Sequence, residues 1–274
     1  MTSLRREIVG LVPAAGRATR MGPLPYSKEL FPIGFNSADE GRRIWPKPVG
    51  QYLLEHFRRA GAERVFIVIR KGKWDIPEYF GDGEGLDLAI GYLLMNLPHG
   101  APYTIDQAYS FVRDVTVLFG FPDILIEPED AYPRMLSHLE ATEADAVLGL
   151  FPTDQAHLCD PVELDEQGRI RQILIKPTHS DLRTTWTIAA WAPSFTRFLH
   201  EHLREVERQA AGATGSRAEL YMGHVFMAAI ESGLRVEGLP LPGAHYLDIG
   251  VPENLAQALR SQLASLPPAV SHRP

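Results

Sequence analysis

An α/β fold is predicted: a Rossmann-like, mostly parallel sheet flanked by helices, with an antiparallel hairpin portion inserted late in the chain. Three observations carry this. Short, fully apolar runs alternate with helix-length amphipathic segments through the first 150 residues. The runs lack an apolar/polar alternation, as expected for strands covered on both faces. Only beyond Val162 does a tight hairpin pattern appear.

Ile8–Pro13 (IVGLVP) reads as a first strand ending in a loop of small residues. Val49–Ala60 places Leu53, Leu54 and Phe57 on one helical face, and Gly61 stands just past its end as a stop. Val65–Ile69, Leu86–Leu94, Val115–Phe119 and Ala146–Phe151 are the next strands, with a helix over Tyr132–Ala141 between the last two. Val162–Leu164 and Ile170–Ile175 flank Asp165-Glu166-Gln167-Gly168 as a hairpin, and Trp186–Ala192 is a further strand. Ser194 is expected to cap a helix reaching about Ala211, followed by a loop over 211–216. Glu219–Ser232 reads as helix, Val236–Leu239 and Tyr246–Ile249 as short strands, and Pro252 opens a last helix. One domain over 1–265 and a flexible tail over 266–274 are the expected organisation, with no internal repeat.

A chain of 274 residues with 45% hydrophobic and 22% charged residues can bury a core without disulfides or metals. Lys and Arg total 27 against 34 Asp and Glu, a net charge of -7, which argues against nucleic acid or an anionic membrane as partner. Cys159 is the single cysteine, so no internal disulfide exists, and a small buried thiol is the plainer reading than a nucleophile. No run approaches the ~18 apolar residues of a membrane span. The apolar run after Arg5 and Arg6 contains Pro13 and is followed by Arg17 and Arg20, which favours a buried strand over a signal peptide. A cytoplasmic location is expected.

The loop Ala14-Ala15-Gly16-Arg17-Ala18-Thr19-Arg20 is the first segment that could carry chemistry. Small residues after a first parallel strand let backbone N–H groups approach a phosphate, and arginines beside them add cationic donors. The same residues equally permit tight strand-to-helix packing. Lys28 could clamp a second phosphate or be a solvated lysine. Asp123 could form a turn after Pro122, and Asp248 could sit at a helix start. A dehydrogenase on a dinucleotide-binding fold is disfavoured because Val65–Ile69 runs into Arg70 and Lys71 rather than an acidic residue. A glycosyltransferase often wants an Asp-x-Asp motif, which is absent. The ten histidines are scattered, with His200 and His202 on different sides of a helix.

Ala14–Arg20, followed by Lys28-Glu29-Leu30-Phe31-Pro32-Ile33, resembles the signature of the sugar-1-phosphate nucleotidylyltransferases, A-A-G-x-G-T-R and then P-K-x-(L/M)-L-P-(I/V). Further matches follow colinearly from about Ile8 to Leu259. They are Lys47-Pro48-Val49, Pro102–Ala108, Val117–Asp123, Lys176-Pro177 and Tyr246-Leu247-Asp248-Ile249-Gly250. The resemblance implies a sheet of the nucleotide-diphospho-sugar transferase type and the joining of an NTP to a sugar 1-phosphate with release of pyrophosphate. It implies nucleotide contacts from Ala14, Ala15, Gly16, Thr19, Arg20, Thr104 and Gln107, and sugar-phosphate contacts from Asp160 and Lys176. Asp123 and Asp248 are implied as ligands of Mg²⁺. Arg20 and Lys28 are implied to stabilise the departing pyrophosphate, and Lys176 to align the attacking phosphate. Such a transfer needs positioning and charge neutralisation more than covalent work. The match of Asp106-Gln107-Ala108 favours dTTP, then UTP. Homo-oligomers are common in such a family.

Several positions depart from the pattern. Ala18 stands for the second glycine, Ser27 for a proline, Thr104 for a glycine near the base, and Ile175 for the glutamate before the lysine. Phe121-Pro122 separates Gly120 from Asp123, and Asp160 lies about where a sugar-contacting glycine is expected. Two expectations follow: an active enzyme with an unusual acceptor, or a catalytically silent nucleotide- or sugar-phosphate-binding protein on the same fold.

Overall fold

The computed structural model describes residues 6–38, 43–96, 99–210 and 219–264. In chain order, β1 (Ile8–Pro13) is followed by a two-stranded arm, β2 (Pro32–Ala38) and β3 (Arg43–Pro48), then α1 (Val49–Arg59) and β4 (Arg64–Arg70). Next come α2 (Asp75–Phe80), β5 (Ala89–Met95), α3 (Ala101–Asp106), α4 (Tyr109–Val112) and β6 (Thr116–Gly120). The second half runs β7 (Ile124–Glu127), α5 (Ala131–Thr142), β8 (Ala146–Pro152), β9 (Val162–Leu164), β10 (Ile170–Ile173) and β11 (Thr184–Trp191). It ends with α6 (Pro193–Ala210), α7 (Met222–Glu231), β12 (Val236–Pro240), β13 (His245–Asp248) and α8 (Pro252–Ala264).

Seven strands form one sheet in the order β12-β8-β11-β6-β1-β4-β5, parallel except that β11 runs antiparallel to both β6 and β8. Both faces are covered, and the residues alternate accordingly. Val9, Leu11, Val117, Phe119 and Leu148 join one buried cluster with residues of α3, α4, α6 and α7. Val12, Leu118, Val147 and Phe151 join the other, with α1, α2 and α5. Leu53, Leu54 and Phe57 of α1 are buried there as expected. Phe57 packs closely against β1 because Gly10 has no side chain: a Cβ at that position would collide with the ring. Gly61, at φ 92°, ends α1 in the left-handed conformation.

Three small antiparallel pairs complete the fold: β9 with β10, β13 with β7, and β2 with β3. The first is the expected inserted hairpin. The arm of β2 and β3 has no counterpart among the expected strands, because Phe35, Ile44 and Trp45 are exposed and Pro46 interrupts β3. The strand expected over Leu86–Leu94 is instead Ala89–Met95, since Glu84–Leu86 forms a tight 3-10 turn. Ser194 is not a cap. The helix starts at Pro193, and the Ser194 hydroxyl donates to the Asp145 carboxylate. The helix expected from Glu219 begins at Met222. The loop over 211–216 and the tail over 266–274 lie outside the described residues.

His56, on the buried face of α1, has its pKa lowered mainly by burial, and Nδ1 faces the Glu129 carbonyl at 3.3 Å. The unfolded chain therefore binds more protons than the fold in the range below the ordinary value of 6.5. This contribution to stability is present above that value and is lost as pH falls through it. His56→Gln should flatten the fall in Tm between pH 7 and pH 5.5; an identical slope in wild type and variant would contradict this.

Candidate active site

The carboxyl ends of parallel strands are where open α/β sheets gather ligands, and the segments leaving β1, β5, β6 and β8 all contribute to one cavity of about 690 Å³. The loop after β1 supplies Ala15, Gly16, Arg17, Thr19 and Arg20 to its lining. Ala14 does not line it: the residue is buried and its N–H donates to the Val68 carbonyl at 2.8 Å. Ala18 holds the left-handed conformation, φ 55°, ψ 33°, that a glycine would hold without strain. The departure from glycine therefore keeps the backbone shape of the loop.

Lys28 sits on a 3-10 turn over Lys28–Leu30, and two groups that follow β4 hold this turn. The Asp75 carboxylate accepts from the Ser27 N–H at 2.6 Å and from its hydroxyl at 2.7 Å. Lys73 donates to Glu29 Oε1 at 2.6 Å, with both side chains about 95% buried or more. Burial pushes the Glu29 carboxyl up and the Lys73 ammonium down from their ordinary values, each against the partner's charge. Sequence reasoning missed this support. Its signal was the position of Lys73 and Asp75 just beyond a central parallel strand.

Lys28 donates to Asp123, which follows β6. Burial opposes both charges, yet the pair wins. Lys28 is raised by Asp123 and Glu29, and Asp123 is held below the carboxylate range by Lys28 and, less, by Arg20. Asp248 arrives through the pairing of β13 with β7, in which Asp248 stands opposite Ile124 and the Ile249 N–H donates to the Asp123 carbonyl at 3.0 Å. Arg20 lies 3.3 Å from Asp248 Oδ2, and the Gly250 N–H donates to Asp248 Oδ1 at 2.7 Å. Burial first, and then the neighbouring Asp123 charge, push the Asp248 carboxyl up. A Cβ on Gly250 would lie 2.8 Å from Asp248 Oδ1, 2.9 Å from an Arg20 nitrogen and 3.1 Å from Asp123 Oδ2. Two carboxylates and a guanidinium thus converge on one glycine.

That donor set is hard and all-oxygen. Among the described residues no group of three or more His, Cys, Asp or Glu gathers as a self-sufficient metal site. Two adjacent carboxylates that repel one another fit Mg²⁺, which commonly takes one or two protein carboxylates together with substrate phosphates.

The lining also holds Asp160, Lys176, Trp186, Thr187 and Tyr221. Lys176 has φ 41°, and its Nζ lies 4.2 Å from the centre of the Tyr221 ring. Burial raises the Asp160 carboxyl, opposed by Lys176 and His224. Thr104 also lines the cavity, with its hydroxyl donating to the Gly100 carbonyl at 3.1 Å. Gln107 is not brought to the cavity lining. It lies exposed at the end of α3, with Nε2 donating to the Tyr103 carbonyl at 3.3 Å. Cys159 lines the cavity half-buried beside Thr153, which is 3.2 Å from the Tyr246 hydroxyl. Burial pushes the Tyr246 phenol up to about 12.

The buried Lys73–Glu29 pair is testable through stability. Lys73→Met leaves an uncompensated buried carboxylate and should cost about 3–5 kcal/mol in urea denaturation. The double variant Glu29→Gln/Lys73→Met should recover part of that loss. A double variant as destabilised as the sum of both single variants would contradict the pairing.

A family model described as nucleotidyl transferase matches residues 9–265. The low-salt glycan biosynthesis nucleotidyltransferase Agl11 of Haloferax volcanii is 21% identical over 252 residues, 91% of this chain and 64% of that protein. A UTP–glucose-1-phosphate uridylyltransferase of Staphylococcus haemolyticus is 25% identical over 198 residues, 61% of this chain and 64% of that protein. The matched stretch thus falls short of two thirds of either relative's length. Among solved structures, a Bacillus anthracis protein described as a glucose-1-phosphate thymidylyltransferase, in complex with sucrose, superimposes with a TM-score of 0.76 at 15% identity. That match covers 96% of this chain and 98% of that one. A UDP-glucose pyrophosphorylase complexed with UDP-glucose gives 0.74 at 18% identity, over 95% of this chain and 100% of that one. Among the described residues no helix is long and apolar enough to cross a membrane. The loop after β1, the paired carboxylates beyond β6 and β13 and the match over 9–265 agree: the chain belongs to the nucleotidyl transferase family.

Proposed function

We propose that this protein joins an NTP to a sugar 1-phosphate, giving an NDP-sugar and pyrophosphate. The observation that carries the reading is the convergence of Arg20, Lys28, Asp123 and Asp248 on one part of a cavity that also holds Lys176 and Asp160. An oxygen of the sugar phosphate attacks the α-phosphorus of the NTP, and the bond from that phosphorus to the bridging oxygen of the β-phosphate breaks. The leaving group is pyrophosphate, and no covalent enzyme intermediate is required.

Residues of this chain orient and neutralise. The loop from Ala15 to Thr19 offers backbone N–H groups to the triphosphate, with Arg20 and Lys28 placed where negative charge grows on the leaving group. Lys176 aligns the attacking phosphate. Asp123 and Asp248 would hold Mg²⁺, which supplies charge neutralisation between the phosphates. Thr104 lines the cavity and is taken to lie near the base by resemblance of Pro102–Ala108, which also favours dTTP, then UTP.

Purified protein incubated with Mg²⁺, each common NTP and a panel of sugar 1-phosphates should release pyrophosphate with one pairing. Asp123→Asn and Asp248→Asn should each abolish release in protein that circular dichroism shows to be folded. Full activity in both variants would remove the metal assignment. Gly250→Ala drives a methyl group between the carboxylates and Arg20 without demanding an unusual backbone, and should reduce release by about 10²-fold, as small misplacements of reacting groups do. The second reading, a catalytically silent binder, would show Mg²⁺-independent nucleotide binding and no pyrophosphate from any pairing.

A further inference from the structure

Lys176 lines the cavity from a sharply turned backbone, at φ 41°. Its neighbours fix that backbone. The Lys176 N–H donates to the Asp160 carboxylate. Ile175 packs on the first turn of α7, since a Cβ on Gly223 would collide with the Ile175 side chain. The isoleucine that departs from the family's glutamate thus seats the lysine against α7. The Lys176 ammonium itself forms no ion pair among the described residues; it lies over the ring of Tyr221, 4.2 Å from its centre.

Tyr221 is itself tied in place. Its backbone N–H donates to His224 Nδ1 at 3.2 Å, at the cap of α7, and its hydroxyl donates to Glu219 Oε2 at 3.0 Å. One residue earlier, the Leu220 N–H donates to the His99 carbonyl at 3.1 Å. Gly100, at φ 112°, permits that approach, because a Cβ there would collide with the Leu220 carbonyl. Burial, and then Glu219, push the Tyr221 phenol above its ordinary value, so the ring stays neutral.

We propose that Tyr221 is a positioning residue, whose ring holds the Lys176 ammonium at the place where it meets a phosphate monoester and leaves its charge intact. This deepens the reading of Lys176 given above and rests on it. A lysine ammonium rides on a flexible four-carbon stem, and ordering such a side chain on binding lowers affinity. A carboxylate could order it too, but would neutralise the charge and repel an incoming phosphate. The face of an aromatic ring attracts the cation through its quadrupole and carries no net charge. Tyr221 therefore orders Lys176 before the ligand arrives without competing for it.

The test is calorimetric titration of the full chain with glucose 1-phosphate, galactose 1-phosphate and mannose 1-phosphate, the tightest binder serving as probe. Tyr221→Phe keeps the ring and should hold the affinity within about 3-fold of wild type. Phenylalanine analogues at position 221 that carry one, two or three ring fluorines keep the shape while withdrawing negative charge from the ring face. Affinity should fall with each fluorine, by about 10-fold at three, and Tyr221→Leu should lose at least as much. In a Lys176→Met background the affinity should be weaker at the start and indifferent to fluorination, because the two residues act as one unit. The fluorinated series carries the test if Tyr221→Leu does not fold. A tyrosine that merely supported α7 would give an affinity independent of fluorine number. That result, the same fluorine dependence without the Lys176 ammonium, or no binding of any of the three probes to wild type would overturn the proposal. A fluorine-dependent affinity with no pyrophosphate released from any NTP would overturn the nucleotidyl-transfer reading alone.

Discussion

Two carboxylates held side by side in a largely buried cavity wall repel one another, and much of this structure is arranged around that repulsion. Asp123 follows a central strand and Asp248 ends a peripheral one, and they meet only because β7 and β13 pair antiparallel. Lys28 and Arg20 answer the charge, each from the loop region after β1. The outcome is unequal: Lys28, against the effect of burial, holds the Asp123 carboxyl below its ordinary value, whereas burial and the Asp123 charge push the Asp248 carboxyl above its own. Asp123 is the firmly ionised member because Lys28 is buried against it, whereas Arg20 is half-exposed and holds Asp248 more loosely. The Mg²⁺ and triphosphate of the proposed reaction would bring charges that offset both groups of residues.

The surrounding shell makes sense in these terms. Lys28 can be displaced from Asp123 by a ligand only if the turn that carries it stays in place. Asp75 and Lys73 tie that turn at Ser27 and Glu29, on either side of Lys28. The turn is thereby fixed, and with it the place from which Lys28 meets Asp123. Gly250 serves the same end from the other side, leaving space for three charged groups where any side chain would separate them.

Much of the fold was legible because the central strands are unbroken apolar runs. β1, β4, β6 and β8 each match an expected strand within a residue or two. The arm of β2 and β3 was not, because it contributes little to the core and its apolar side chains face outward. β7 was missed for its brevity, four residues directly after a Pro-Asp turn, and with it the pairing that joins residues about 125 positions apart in sequence. In the site, Arg20, Lys28, Asp123 and Asp248 were found through colinear motifs rather than any local signal. Ala14 and Gln107 belong to the same motifs, yet one is tied into the backbone and the other faces solvent. Trp186 and Thr187 read as ordinary strand residues, and only the register with β6 and the bulge against β8 place them at the cavity.

Binding of Mn²⁺, followed by electron paramagnetic resonance in the presence of a non-hydrolysable NTP analogue, tests most directly the proposal that Asp123 and Asp248 act as one cation site. One Mn²⁺ per chain should bind the wild-type protein with the analogue, and Asp123→Asn and Asp248→Asn should each weaken that binding by at least about 10-fold, the loss of a single charged ligand contact of about 1.4 kcal/mol or more. Undiminished Mn²⁺ binding in both variants, with the analogue still bound, would contradict it.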